Sequence, residues 1–184
     1  MLGVLLACAM LFQAGLPSAT IENDRVVVWD INGIATAPAS DRVVVSLAGR
    51  SANTATFLPK TTEVKINGRF IVIDLKDHPV SPIENTSGYP LAFPRPGVKK
   101  IVENDRVIVW DYTWTPDVPT PMHFHDKDVV VVFLEDGDLK STTPDGKAVV
   151  TAYTSGTIRF NARNRTHSET LVRGKQRAII TELK

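Results

Sequence analysis

Residues Pro121 to Asp138 read PMHFHDKDVVVVFLEDGD, and two of the chain's four histidines stand in it, two positions apart. They precede an unbroken valine run that ends in a Glu-Asp-Gly-Asp turn. A run so rich in β-branched residues is read as a strand. Alternate residues of a strand point to one face, so His123 and His125 would project side by side into the same space. A third histidine, His167, closes the stretch GTIRFNARNRTH from Gly156, beyond the turn at Asp145-Gly146. In an antiparallel barrel, strands this close in sequence face one interior. Three imidazoles can then converge on one ion, and neutral imidazole is the commonest ligand for such a site.

The surrounding chain supports an all-β barrel or sandwich. Strands are expected at Val26–Trp29, Val43–Leu47, Val64–Ile66, Phe70–Leu75, Val107–Trp114, Val129–Leu134, Ala148–Tyr153, Thr157–Phe160 and Ala178–Leu183. All are rich in Val, Ile, Thr and aromatic residues. Turn signals at Asn67-Gly68, Asp136-Gly137, Pro144-Asp145-Gly146, Ser155-Gly156 and Arg173-Gly174 separate them. No segment beyond the N-terminus shows a helical period over two turns or more.

An internal repeat organises the chain. ENDRVVVWD at Glu22–Asp30 recurs as ENDRVIVWD at Glu103–Asp111, with only Val27 exchanged for Ile108. RFIVIDLK at Arg69–Lys76 is echoed by RAIITELK at Arg177–Lys184. The division that follows is an expected signal segment 1–20, a first unit 21–76, a linker 77–100 with five prolines, and a second unit 101–184. Asp30 and Asp41 are 11 positions apart and Asp111 and Asp128 are 17 apart, so pairing Asp41 with Asp128 leaves the first unit six residues short. Both members of the His-x-His pair fall in the extra material, and the first unit has no histidine at all. One unit is therefore expected to carry the chemistry and the other to be structural.

The histidine-bearing half resembles the cupin superfamily, small jelly-roll β-barrels. HFHDKDVVVVFLEDGD matches the His-x-His pair and the strand-plus-turn ending of their first motif. GTIRFNARNRTH matches the Gly-to-His spacing of their second, although the usual Pro-x-Gly is absent and Ala162, Arg163 and Asn164 stand there. The resemblance covers most of residues 101–184. With the repeat, it implies a bicupin-like chain whose first unit is degenerate. It also implies a divalent transition metal on His123, His125 and His167, with iron first and zinc, manganese, nickel or copper as alternatives. The positions where cupins carry a metal-binding Glu are Val129 and Val130 here. Three readings stay open: a three-histidine site, as in thiol dioxygenases and some dione-cleaving members; a carboxylate from Asp128 or from Glu169, two residues past His167 on the same face; or a site too weak to hold metal.

Other residues refine the picture. Trp110, Tyr112 and Trp114 share one strand face. Trp29 repeats Trp110 and is read as core, as are Phe133 and Phe160, while Phe124 should point away from the histidines. Tyr112 and Glu169 are the candidate proton-transfer groups. Arg159, Arg163 and Arg165 lie near His167, where a guanidinium could hold an acidic substrate, although pairing with Asp126, Asp128 or Glu169 is the simpler expectation.

The bulk numbers exclude whole classes. Lys+Arg is 21 against Asp+Glu 20, a net charge of +1, with no basic stripe for nucleic acid. There is no GxSxG, no Gly-rich phosphate loop and no cysteine nucleophile: the single cysteine, Cys8, lies in the uncharged apolar start of the chain. That start is read as a secretory signal, so the mature protein is expected to be secreted or periplasmic with no membrane span, or cytoplasmic if the signal is not real. The functional expectation is a metal-dependent cupin acting on a small organic molecule, of the dioxygenase kind. The rivals are a cupin isomerase or epimerase, a non-enzymatic ligand- or metal-binding barrel, and a structural role through a homodimer.

Overall fold

The structure, a computed structural model, describes residues 17–36, 40–47, 54–62 and 65–184. Cys8 and most of the expected signal lie outside the described residues, as does Val64 of one expected strand. Every regular element among the described residues is a strand. Three sheets result. The first comprises β1 (Ile21–Glu22), β2 (Val26–Thr36), β3 (Arg42–Ser46), β4 (Ala55–Leu58) and β5 (Lys65–Leu75), in the order β1-β2-β5-β3-β4. The second uses β6 (Val98–Glu103), β7 (Val107–Thr113), β9 (Val129–Phe133), β12 (Ile158–Asn161) and β14 (Arg177–Leu183), in the order β12-β9-β14-β7-β6. The third is made of β8 (His123–His125), β10 (Gly137–Thr142), β11 (Ala148–Tyr153) and β13 (Arg165–Gly174), in the order β11-β10-β13-β8.

The second sheet is apolar on both faces, which explains the unbroken valine run. All five residues of β9 are buried. Val130 and Val132 join Val107, Val109, Ile179 and Leu183 against Val26, Val28, Val43 and Ile73 of the first sheet. Val129, Val131 and Phe133 face the other way, into a barrel core with Trp110, Trp114, Leu139 and Leu171, closed by the third sheet. Each fully buried valine or isoleucine contributes about 1.5–3 kcal/mol of transfer free energy, so both faces are strongly specified.

The repeated nonapeptides make the same structure twice. Val26 pairs with Leu75 and Val107 with Leu183, at the same register of the two long antiparallel ladders. In each copy the asparagine Oδ1 accepts two backbone amides, from Arg25 and Val26 in one and from Arg106 and Val107 in the other, at 2.8 and 3.0 Å in both. Such a local side-chain turn fixes the entry to the strand. The arginines then cross over. Arg25 Nη1 meets Asp128 at 2.5 Å and Arg106 Nη1 meets Asp41 at 2.9 Å. Their other nitrogens donate to Lys184 O and Lys76 O at 3.1 and 2.9 Å. Each copy thus ties its own sheet to the end of the other.

Several expectations are corrected. Asn67-Gly68 is not a turn: both residues lie inside β5, where Gly68 pairs with Gly33 and both have positive φ, a conformation open to glycine. Phe160 packs between the first and second sheets rather than in the barrel, because Arg159 and Asn161 take the inward positions of β12. Trp29 is only partly buried, on the outer face of the first sheet with Ile31 and Val72. Strands β1, β4, β6, β10 and β13 were not legible as strands; β10 and β13 carry the polar runs GDLKST and RTHSET. The proline-rich stretch does more than link. It runs beside β8, with Ala92 N donating to Phe124 O and Phe124 N to Pro90 O, both at 2.8 Å. It buries Ala92 and Phe93 in the barrel core, and its last residues, from Val98, belong to β6.

Candidate metal centre

β8 and β13 bring the three histidines together. His123 pairs in register with His167, and His125 with Arg165, so the diagonal neighbours His125 and His167 also share the inward face. The ring centroids lie 5.0, 4.8 and 5.1 Å apart, almost an equilateral triangle, with all three pairs edge-on. Their ligand atoms lie within 4.8 Å of one another. His125 Nε2 and His167 Nε2 are 3.1 Å apart. Two nitrogens at about 2.1 Å from one ion would subtend about 95° at that spacing. The residues present fit a metal.

The outer contacts of the rings agree. His123 Nδ1 lies 2.7 Å from Pro121 O and His167 Nδ1 lies 3.1 Å from Ser141 Oγ. A carbonyl only accepts, so His123 donates its Nδ1–H to Pro121 and keeps the Nε2 lone pair free for a ligand role, and Ser141 Oγ can accept from His167 in the same way. His125 Nδ1 is buried without a partner. Burial is the main cause that pulls all three rings down, His123 to about 4, His167 to about 3 and His125 well below the ordinary imidazole value, with neighbouring arginine cations adding to it. All three are therefore neutral at pH 7, the form that binds metal.

Arg95, which sits in the proline-rich stretch, completes the site and had no signal in the sequence. Its guanidinium stacks over Tyr112 at 4.3 Å and over Phe93 at 4.9 Å. Arg95 Nη1 lies 3.1 Å from His123 Nε2. Arginine only donates, so that nitrogen accepts, in agreement with the tautomer set by Pro121. Arg95 Nη2 also comes within 3.7 Å of Glu169 Oε2, which accepts a hydrogen bond from Trp114 Nε1 at 3.3 Å.

The structure sorts the other expected site residues. Glu169 is on the inward face with His167 and lines the cavity beside the rings. Tyr112 is in the barrel core under Arg95 and does not line that cavity; burial raises its phenol, and the Arg95 cation opposes the rise. Asp128 is not with the histidines. Its carboxylate takes Arg25 and the Arg163 amide, at 2.5 and 2.9 Å, as part of the contact between the first and second sheets. Val129, where a cupin glutamate would be expected, points inward at the cavity wall. Among the described residues, the cluster that could hold an ion is the three imidazoles, and no carboxylate belongs to it. The cavity that His125 and His167 border has a volume of about 200 Å³.

No family model matches the sequence, and no curated protein matches it either. Solved structures do. An IolB-like protein from Salmonella typhimurium LT2 superposes with a TM-score of 0.57 at 13% identity, covering 92% of each chain. A cupin 2 conserved barrel domain protein from Leptotrichia buccalis gives 0.48 at 13% identity, over 89% of this chain and 86% of that one. A cupin domain from Bordetella pertussis Tohama I gives 0.43 at 27% identity, over 50% of this chain and 97% of that one. The chain has the cupin fold. In this cupin fold the histidines lie on the third sheet, and the second sheet supplies Trp110 and Phe133 to the aromatic floor of the barrel, with Trp114 just past the end of β7.

Proposed function

We propose that the protein is a metal-binding cupin that acts on a small organic molecule, as an oxidoreductase of the dioxygenase kind. The observation that carries this reading is the trio itself: three neutral imidazoles, two buried and His167 partly so, with ligand atoms within 4.8 Å of one another, His125 and His167 also lining a cavity. A redox-active metal held there, with iron first among the candidates, would supply Lewis acidity and open positions for substrate and O₂. The protein's own residues would do the rest. Ser141 and Pro121 O orient two of the rings. Trp114, Phe133 and Tyr153 exclude water from the cavity, and Glu169 is the one carboxylate on its wall and so the group placed to accept or return a proton. Export of the mature chain belongs to the same proposal and rests on the uncharged apolar start of the sequence.

One observation favours a second reading, a barrel that binds its ligand without metal: Arg95 donates to the lone pair of His123 that a metal would need. Elemental analysis of untagged protein separates the two. Near-stoichiometric metal, lost in the His123→Ala, His125→Ala double variant, supports the metal-dependent reading, and its identity tests iron. Protein that stays metal-free after reconstitution refutes that reading.

A further inference from the structure

The cavity beside the histidines is lined by three guanidiniums, from Arg95, Arg159 and Arg165, and by one carboxylate, that of Glu169. The acids that could have neutralised them are engaged elsewhere. Asp128 is held by Arg25, and Asp126 by Lys127 at 2.7 Å. Arg163 points away and donates to Ser81 O. Among the described residues no carboxylate lies within ion-pair distance of Arg159 or Arg165, and the one hydrogen bond of the Arg165 guanidinium goes to Ala162 O from Nε, at 2.7 Å. The Arg95 side chain is only 7% exposed, and its Nε is buried with no partner. Glu169 answers Arg95 at 3.7 Å, too long for a good hydrogen bond. Buried donors left without acceptors are costly, and a positively biased, partly dry cavity lowers the free energy of an anion that enters it.

The remaining walls are aromatic. Phe133 stacks on Tyr153 at 3.9 Å and on Trp114 at 6.3 Å. A cavity of about 150 Å³ already admits a benzene-sized molecule, and this one measures about 200 Å³. We propose that the cavity takes a small organic carboxylate, with the anion held by Arg95 and Arg165, Arg159 at the exposed mouth, and the apolar body against Trp114, Phe133 and Tyr153. Planar guanidiniums match a carboxylate geometrically, and their flanking of the imidazoles sets the bound molecule beside the trio. The proposal names the substrate class for the site of the preceding section, but the arginines would hold the anion with or without metal.

The test compares benzoate with its neutral counterpart benzamide, by calorimetry or ligand-observed NMR. It uses the full chain as purified, the chain stripped by chelation, and the variants Arg165→Gln and Arg95→Gln with circular dichroism to check folding. The expected result is binding of benzoate at least about tenfold tighter than benzamide, weakening with salt, retained after chelation and abolished by Arg165→Gln. Equal binding of the two, or no benzoate binding at millimolar concentration, overturns the proposal. So does a preference that survives both arginine variants and disappears with the chelator; the anion would then sit on the metal, and the metal reading alone would stand. An arginine-dependent preference in protein that never takes up metal leaves this proposal standing and removes the metal-dependent one.

Discussion

Asp128 is the sharpest test of how the two sheets are joined. It stands close in sequence to His125, yet the structure gives it to Arg25, with both side chains only 9% exposed. Burial lowers the Arg25 guanidinium, and the charge of Asp128 is the main influence opposing that. Replacing Asp128 with Asn keeps an acceptor for the Arg163 amide but leaves a buried cation without its counter-charge. Breaking one partner of a buried pair costs about 3–5 kcal/mol, and the retained acceptor points to the lower end, about 3 kcal/mol. For a chain of this size that is a fall in melting temperature of about 6–12 °C. The counterpart Asp41→Asn should cost about 1 kcal/mol, because Arg106 is more open to solvent and also meets Asp77 at 3.0 Å. An Arg25→Met, Asp128→Leu double variant should recover most of the loss. The assay is thermal melting with metal content measured on the same samples. The reasoning fails if Asp128→Asn melts with wild type or costs no more than Asp41→Asn. It also fails if metal content falls while melting is unchanged, since Asp128 would then be a ligand.

Three further outcomes follow from the same geometry. The metal-free protein should lose stability as pH falls below the ordinary imidazole value of 6.5 toward about 4 and 3, the values to which His123 and His167 are lowered. In that window the unfolded chain binds more protons than the folded one, at up to about 1.4 kcal/mol per pH unit for each group, so a urea midpoint that is level or higher at pH 5 than at pH 7 refutes it. Val129→Glu should place a carboxylate on the cavity wall beside the trio; without metal it should destabilise by about 2–3 kcal/mol, and added zinc or iron should restore most of that, which melting with and without metal measures. Gly174 has φ 78 and a Cβ there would lie 2.5 Å from Asp136 O, so Gly174→Ala should lower the melting temperature by several degrees with the metal content intact.

What was legible in the sequence had short-range signatures. The His-x-His pair, the valine run and the glycine turns carry their structure in local spacing, and the strand parity that put Glu169 beside His167 held over two residues. What was not legible depended on tertiary contacts. β10 and β13 read as polar because one face is solvated and the other lines a polar cavity. Asn67-Gly68 looks like a hairpin turn until Gly33 is found opposite it. Arg95 lies in a proline-rich stretch with no period, and the packing of Phe93 into the barrel core puts it beside His123. The exchange of arginines between sheets was also hidden, although both ENDR motifs were plain to read.

That exchange shows how one sequence motif can be kept for structure while chemistry is confined to one copy. The first and second sheets share their strand order, their ladder register and their arginine-to-aspartate ties. The difference between them is the inserted material: β8, β10, β11 and β13 fold over one face of the second sheet only. Every imidazole of the trio lies on those added strands, and two of the cavity's three arginines, Arg95 and Arg159, do not. The first sheet buries the opposite face of the second and holds β9 and β14 from behind, so the barrel floor under the histidines is fixed without the first sheet touching the site. A substitution in the interface between the first two sheets should therefore change melting before it changes metal content, and one at the histidine positions of β8 and β13 the reverse.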